Sequence, residues 1–425
     1  MSDAPETLDS GYRPSDSVMA ERLDMLRPLP RISVQAFCET EDVARAIEAA
    51  GADRRMAKAH LRVQTGGIRA AAEHYAGAPT PNLVILESCL EPAELLVELE
   101  SLADVCDPGS KVVVIGHAND VSLYRELTRR GISEYILAPV HLADVMAVIS
   151  HLFVAEGTAP LGRVIAFMGA KGGVGSSTIA HNVAWAISKE FANEVVLADL
   201  DLPFGTANIN FDKDPPQGIA EAVFSADRLD EVFLDRLLAR CADRLSLLAA
   251  PSALDRTYDF GADAFSALIE AAQRGTPVVV LDVPHGWTDW THSVLRRADE
   301  VAVVASPDLA NLRNAKNLVD TLKRMRPNDP PPRLVLNQVG MPKRPEIAVA
   351  EFAEPLGVET LATIGFDPLA FGSAANAGRM LAETDAKHPA SAAFGEMAYA
   401  LTGRNRVKRQ AKPSRVGLLN RMRRR

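Results

Sequence analysis

Short apolar runs alternate with longer amphipathic stretches along most of the chain, first from Arg31 to Val154 and again from Arg163 to Gly403. In the first series RISVQAF, NLVILES, KVVVIGH and SEYILAP predict buried strands, and EPAELLVELESLA and DVSLYRELTRRG predict helices between them. In the second, RVIAFMG, EVVLADLD, RLSLLAA, PVVVLDVP, EVAVVAS and PRLVLNQ predict strands, with IAHNVAWAISKEF and SAAFGEMAYALTG as helices. Such alternation implies an α/β fold with a doubly wound parallel sheet in each half. No solenoid-type repeat is present. The expected division is a polar, disordered segment 1–29, a first domain 30–154, a linker AEGTAPLG at 155–162, a second domain 163–403 and a basic tail 404–425.

Composition narrows the function classes. The chain has 425 residues, 47% hydrophobic and 24% charged, enough for ordinary cores in both domains. Only 5% is aromatic, which argues against a base-stacking surface. Cys38, Cys89, Cys106 and Cys241 lie far apart with no CxxC pair, against a disulfide framework or zinc site and in favour of a reducing cytoplasm. The first residues lack the apolar core of a secretion signal, and no apolar stretch reaches the ~18 residues that span a bilayer. Net charge is −9, yet from Arg404 onward there are ten basic residues and no acid. A basic tail on an acidic body suggests an anionic partner for the tail, lipid or nucleic acid.

The strongest chemical signal is GAKGGVGSST, between the strand RVIAFMG and a helix. Gly169, Gly172, Gly173 and Gly175 let backbone wrap closely around phosphates, where N–H groups and the helix N-terminus supply the attraction. The usual phosphate loop carries a lysine after its last glycine. Here Ser176 stands there and cannot set a positive charge on the phosphates, while Lys171 stands earlier in the loop. The strand EVVLADLD ends in Asp199 and Asp201, whose i, i+2 spacing predicts two carboxylates pointing one way, suited to a metal and a water. Two further strands supply Asp282 and Asn337.

In this order, over about residues 163–403, these motifs resemble the MinD/ParA class of ATPases, whose loop KGGVGKTT keeps the early lysine. The resemblance implies ATP and Mg²⁺ as cofactors and an ATP-dependent homodimer in which Lys171 reaches the partner's phosphates. It places the loop residues through Val174 and Ser176 around the phosphates and Thr178 against them. Ser177, Asp199 and Asp282 fall at Mg²⁺, and Asp201 at the attacking water. Asn337 falls where a side-chain amide reads adenine, and Asp367 where the base pocket is lined; Pro307 and Gly378 match further landmarks. Without a lysine at 176, slow and dimer-dependent hydrolysis is expected.

The first domain resembles a response-regulator receiver stripped of its chemistry. Its acidic turn is Glu39, Glu41 and Asp42; Glu87 replaces the phosphorylated Asp, Gly116 the hydroxyl residue, and Ala138, before Pro139, the lysine. A pseudo-receiver used for docking or dimerisation is expected, with no phosphoryl transfer to Glu87. Together with Lys171 and ADLDLPFG, this front domain resembles the CpaE/TadZ pilus-assembly family. That resemblance implies a switch that localises or regulates a Flp/Tad-type pilus secretion machine, in the cytoplasm or peripheral at the inner membrane or a cell pole. Two other readings stand beside it, a ParA-like DNA-partitioning ATPase, against which the acidic body argues, and a non-hydrolysing nucleotide-bound polar scaffold. In the tail, Val416, Leu419 and Met422 recur at i, i+3, i+6. Contact with an anionic membrane, a solubilising tail and nonspecific DNA binding all remain open for it.

Overall fold

The computed structural model describes Leu23, Leu26 and residues 28–154, 161–251, Leu254 and 257–404. The expected basic tail beyond Arg404, most of the expected linker and the first 22 residues lie outside the described residues. Strands β1 (Ser33–Cys38), β2 (His60–Thr65), β3 (Leu83–Ser88), β4 (Lys111–Gly116) and β5 (Glu134–Leu137) form an all-parallel sheet in the order β2-β1-β3-β4-β5. A second sheet contains β6 (Arg163–Gly169), β7 (Val195–Asp199), β8 (Ala239–Ala242), β9 (Leu245–Leu248), β10 (Val278–Val283), β11 (Glu300–Ala305), β12 (Arg333–Val339) and β13 (Thr360–Gly365). Its order is β13-β12-β11-β6-β10-β7-β9-β8, parallel except where β8 meets β9. Both halves are thus the doubly wound α/β folds that the alternation implies.

Strand alternation builds the cores. Along β6, Val164, Ala166 and Met168 join one buried cluster, and Ile165 and Phe167 join the other on the opposite face. Helices cover both faces, so the central strands are apolar throughout. Each fully buried Val, Leu or Ile contributes ~1.5–3 kcal/mol, which is why the central strands define the fold. The site follows from the order of strands. β6 lies between β11 and β10, so chain departing from its C-terminal end can turn to either side. That edge is where open α/β sheets bind ligands. Because β12, β11, β6, β10 and β7 are parallel neighbours, their C-terminal ends bring Asn337, the loop after Gly169, Asp282 and Asp199 to one rim.

The packed part of the chain starts earlier than the expected boundary at 30. Leu23 and Leu29 are buried in the front-domain core, and the Leu29 N–H donates to the Arg55 carbonyl at 2.8 Å. The two domains are joined by ion pairs. Arg54, in the short 3₁₀ turn Arg54–Met56, donates from Nε to Asp329 (2.9 and 3.1 Å), from Nη2 to Asp299 (2.7 Å) and from Nη1 to the Arg297 carbonyl (2.9 Å). Arg55 bridges Asp53 and Asp329, and Asn328 donates to Asp53 at 3.1 Å. Arg54, Arg55, Asp53 and Asp329 are all buried.

At the receiver-like positions, Glu87 is fully buried. Its carboxylate accepts the N–H groups of Glu39 and Thr40 (both 2.8 Å) and the Thr40 hydroxyl (2.6 Å), with His117 Nε2 at 3.1 Å. Beside Gly116 the Tyr135 ring occupies the volume a side chain would need, and its hydroxyl donates to the Ala118 carbonyl at 2.8 Å.

Candidate nucleotide and metal site

β6 delivers Gly169 from a fully buried strand, and the helix Ser176–Glu190 starts seven residues later. Gly173 and Gly175 take φ of 80° and 83°, in the region that favours glycine. Four side chains hold the loop by its carbonyls. His285 Nδ1 donates to Gly169 (2.9 Å), Asn314 Nδ2 to Ala170 (3.0 Å), Gln338 Nε2 to Gly173 (2.9 Å) and Asn337 Nδ2 to Val174 (2.7 Å). In a trans peptide the C=O and the following N–H point in opposite directions. Pinning the carbonyls of Ala170, Gly173 and Val174 therefore aims the N–H groups of Lys171, Val174 and Gly175 away from the braces. Ser176 Oγ is buried and, among the described residues, has no hydrogen-bond partner. An orphaned hydroxyl, glycine backbone and aimed amides at a helix N-terminus fit a polyphosphate. Lys171 is exposed, and a hollow of about 420 Å³ opens beside Gly169 and Ala170, lined further by His285, Trp287 and Asn314.

The carboxylates lie on the other side of β6. Asp199 and Asp282 are register partners on β7 and β10, and both are buried. Asp199 accepts the N–H groups of Asp201 and Ala207, each at 3.1 Å. Burial, then the neighbouring Asp282, pushes its carboxyl well above the ordinary range. Asp201 is also raised, chiefly by burial. β7 ends at Asp199, so strand alternation does not align the two acids as the i, i+2 spacing predicted; a turn at Asp201–Gly205 folds Asp201 back to donate to Asp199. Asp282 faces His181, whose Nε2 stands 3.2 Å from Oδ2. Asn210 Nδ2 donates to His181 Nδ1 at 3.1 Å, which leaves the ring proton on Nε2, directed at Asp282. Paired buried carboxylates with a fixed partner suit a divalent cation, which would lie among Asp199, Asp282 and the Ser177 hydroxyl.

A carboxyl held above its ordinary pKa keeps a proton that the unfolded chain has lost. Its contribution to stability therefore falls as pH rises above the ordinary aspartate value, and a bound dication reverses that loss. Magnesium with ADP is thus expected to raise the melting temperature more at pH 8 than at pH 6, by about 2–4 °C, the shift ~1 kcal/mol gives a domain of this size. Thermal unfolding at both pH values measures this; equal gains would place the cation away from Asp199.

The remaining expected positions are dispersed around the loop. Asn337 uses its amide N–H on the loop carbonyl of Val174. Asp367 caps the helix Pro368–Asn376, accepting the Ala370 N–H at 2.9 Å; that bond, then His388, holds its carboxyl below the usual range. Gly378, with φ of 61°, packs against Asp212, and the Pro307 carbonyl accepts the Ile347 N–H at 2.9 Å. The braces His285, Asn314 and Gln338 and the acid partner His181 escaped the sequence reading. His181 had a signal, since it lies three residues after Thr178 and so on the same side of that helix.

No protein-family model matches the chain. Over 30% of its length it is 46% identical to the pilus assembly protein CpaE of Caulobacter crescentus, covering 98% of that solved chain with a TM-score of 0.30. Over 56% of its length it is 26% identical to a ParA family ATPase of Chlorobium tepidum, covering 98% of it with a TM-score of 0.51. The septum site-determining protein MinD of Bacillus subtilis is 24% identical over 258 residues, 57% of this chain and 90% of that one. The first curated relatives it matches are covered over 60% and 55% of their own length. Among the described residues no helix is long and apolar enough to cross a membrane. With 46% identity carried across nearly all of a CpaE chain, and a ParA-type fold beside it, the chain belongs to the CpaE pilus assembly proteins within the MinD/ParA family of P-loop ATPases.

Proposed function

We propose that the chain is an ATP-dependent dimeric switch that localises or regulates assembly of a Flp/Tad-type pilus secretion machine, with slow hydrolysis of ATP. The observation that carries this reading is the loop after β6, whose carbonyls are pinned so that its amides point the other way. The likeness to CpaE supports the pilus partner, and the likeness to MinD and ParA proteins supports the nucleotide. Bound Mg²⁺ would supply positive charge against the phosphate oxygens. The amides of Lys171, Val174 and Gly175 would bind those oxygens, and Ser176 Oγ would gain its missing partner. Asp201, made more basic by burial, would orient a water and take its proton. His181 would hold Asp282 in place by its Nε2 proton. Lys171, exposed, would add its ammonium to the phosphates of a second copy, supplying the charge that Ser176 lacks.

Molar mass in solution tests this. One chain with ADP and two with ATP are expected, with phosphate release only in the second state. Lys171→Ala should stay at one chain with ATP and lose phosphate release by about 100-fold or more, since an absent charge in phosphoryl transfer costs that order. One chain under both nucleotides, or no saturable uptake of ATP with magnesium, would refute the switch. A second reading, a nucleotide-bound polar scaffold without turnover, draws on Ser176; dimers that release no phosphate would favour it. The acidic balance of the body argues against the partitioning reading, and the basic tail lies outside the described residues.

A further inference from the structure

The receiver-like rim of the front domain carries an organised set of possible ligands. Glu87 is the next-to-last residue of β3, Cys89 follows the strand in the next loop, and His117 follows β4. A carboxylate oxygen of Glu87, the Cys89 sulfur and an imidazole nitrogen of His117 all lie within 4.8 Å of one another. Glu87 is fixed by three hydrogen bonds from Glu39 and Thr40, so its oxygens have set directions. Glu39 is fixed as well, since it accepts the Cys89 N–H at 2.8 Å and packs against Gly67. Cys89 and His117 are exposed, so the cluster opens to solvent.

We infer that Glu87, Cys89 and His117 form a binding site for a transition-metal dication of the zinc type, with Glu39 or a water completing it. Charge supports a cation here. Glu39, Glu87 and the thiol gather in one place, Ala138 stands where a receiver would carry a lysine, and Arg69 is paired with Glu98. Softness selects which cation. Magnesium prefers oxygen ligands and water, whereas thiolate and imidazole together select zinc, cobalt and their neighbours. Tetrahedral ligands ~2.0–2.3 Å from zinc stand about 3.3–3.8 Å apart, so rotation of the two exposed side chains closes the set. The metal would replace the present contact between His117 Nε2 and Glu87, and the Cys89 proton would leave to solvent. The spacing of the cysteines argued against a zinc site because a set that uses one cysteine, brought together from the ends of two strands, leaves no CxxC in the sequence. This site does not depend on nucleotide binding.

The test is cobalt titration of the reduced full-length chain. One equivalent should produce thiolate-to-cobalt charge-transfer absorption in the near ultraviolet, displaced by zinc. Cys89→Ser should abolish the band and Cys106→Ser should keep it. Loss of a mere supporting partner weakens metal binding on the order of 10–100-fold, so His117→Ala should weaken zinc by at least about that in chelator competition. Both side chains are exposed, and circular dichroism verifies that the variants keep the fold. No band in the parent chain, or a band that survives Cys89→Ser, would overturn the assignment.

Discussion

An Arg54→Ala chain should unfold at a clearly lower denaturant concentration than its parent, by an amount worth about 3–5 kcal/mol, the cost of leaving buried charges without their partner. Arg54 holds Asp329 and Asp299 together across the two domains, and both Arg54 and Asp329 are nearly inaccessible. Removing the guanidinium leaves Asp329 with only Arg55 and Arg326, takes from Asp299 its guanidinium partner, and severs the direct side-chain link between the domains at this point. The domains should then melt as two transitions instead of one, and the front domain should become the first site of proteolysis. Arg54→Lys keeps the charge but not the planar fork that reaches both acids, so it should fall between the two. Denaturant titration followed by fluorescence reads all three chains. An unchanged midpoint for Arg54→Ala would mean the buried pairs hold nothing together.

The second large effect concerns the loop. Gly175 needs φ of 83°, and a Cβ there would stand 2.5 Å from Asn337 Nδ2. Gly175→Ala therefore adds ~1–2 kcal/mol of left-handed strain and breaks the brace on Val174, worth ~1 kcal/mol more. If both fall on the bound conformation, nucleotide uptake weakens on the order of 100-fold. Gly172 is the control, because a Cβ added there meets nothing within 4 Å. Gly172→Ala should leave the melting temperature unchanged, while Gly175→Ala lowers it. Equal losses of stability in the two would show that the brace is not under strain.

Most strands legible in the sequence share one property, and the missed ones another. Apolar runs revealed the central strands, which are buried on both faces; they also revealed β5, which was expected to be buried but lies at a sheet edge and is half-buried to exposed. β2, β8 and β13 were missed, and all three lie at sheet edges. In HLRVQT the exposed positions are occupied by His60, Arg62 and Gln64, so no apolar run exists to be read. Glycine spacing marks the loop after β6 in the sequence itself, because glycine's backbone freedom is a property of the residue. Its braces were invisible, since Gln338 and Asn314 meet the loop only through strand order. The same holds for the junction between domains, where Arg54 and Asp329 are 275 residues apart. Leu23 and Leu29 fall inside the expected polar segment although Leu23, Leu26 and Leu29 recur at i, i+3, i+6, because Pro28 and Pro30 interrupt that short run and the residues before it are polar.

Tyr135 bears on how the front domain can change over evolutionary time. Its ring fills the room beside Gly116, and its hydroxyl is committed to Ala118, so a threonine restored at 116 would collide with it. Placing a hydroxyl side chain at 116 would need a smaller residue at 135 as well, so the two positions can only change together. A single substitution at 116 is therefore closed as a route to a hydroxyl at this rim, because the space and the tyrosine's own bond are given up together.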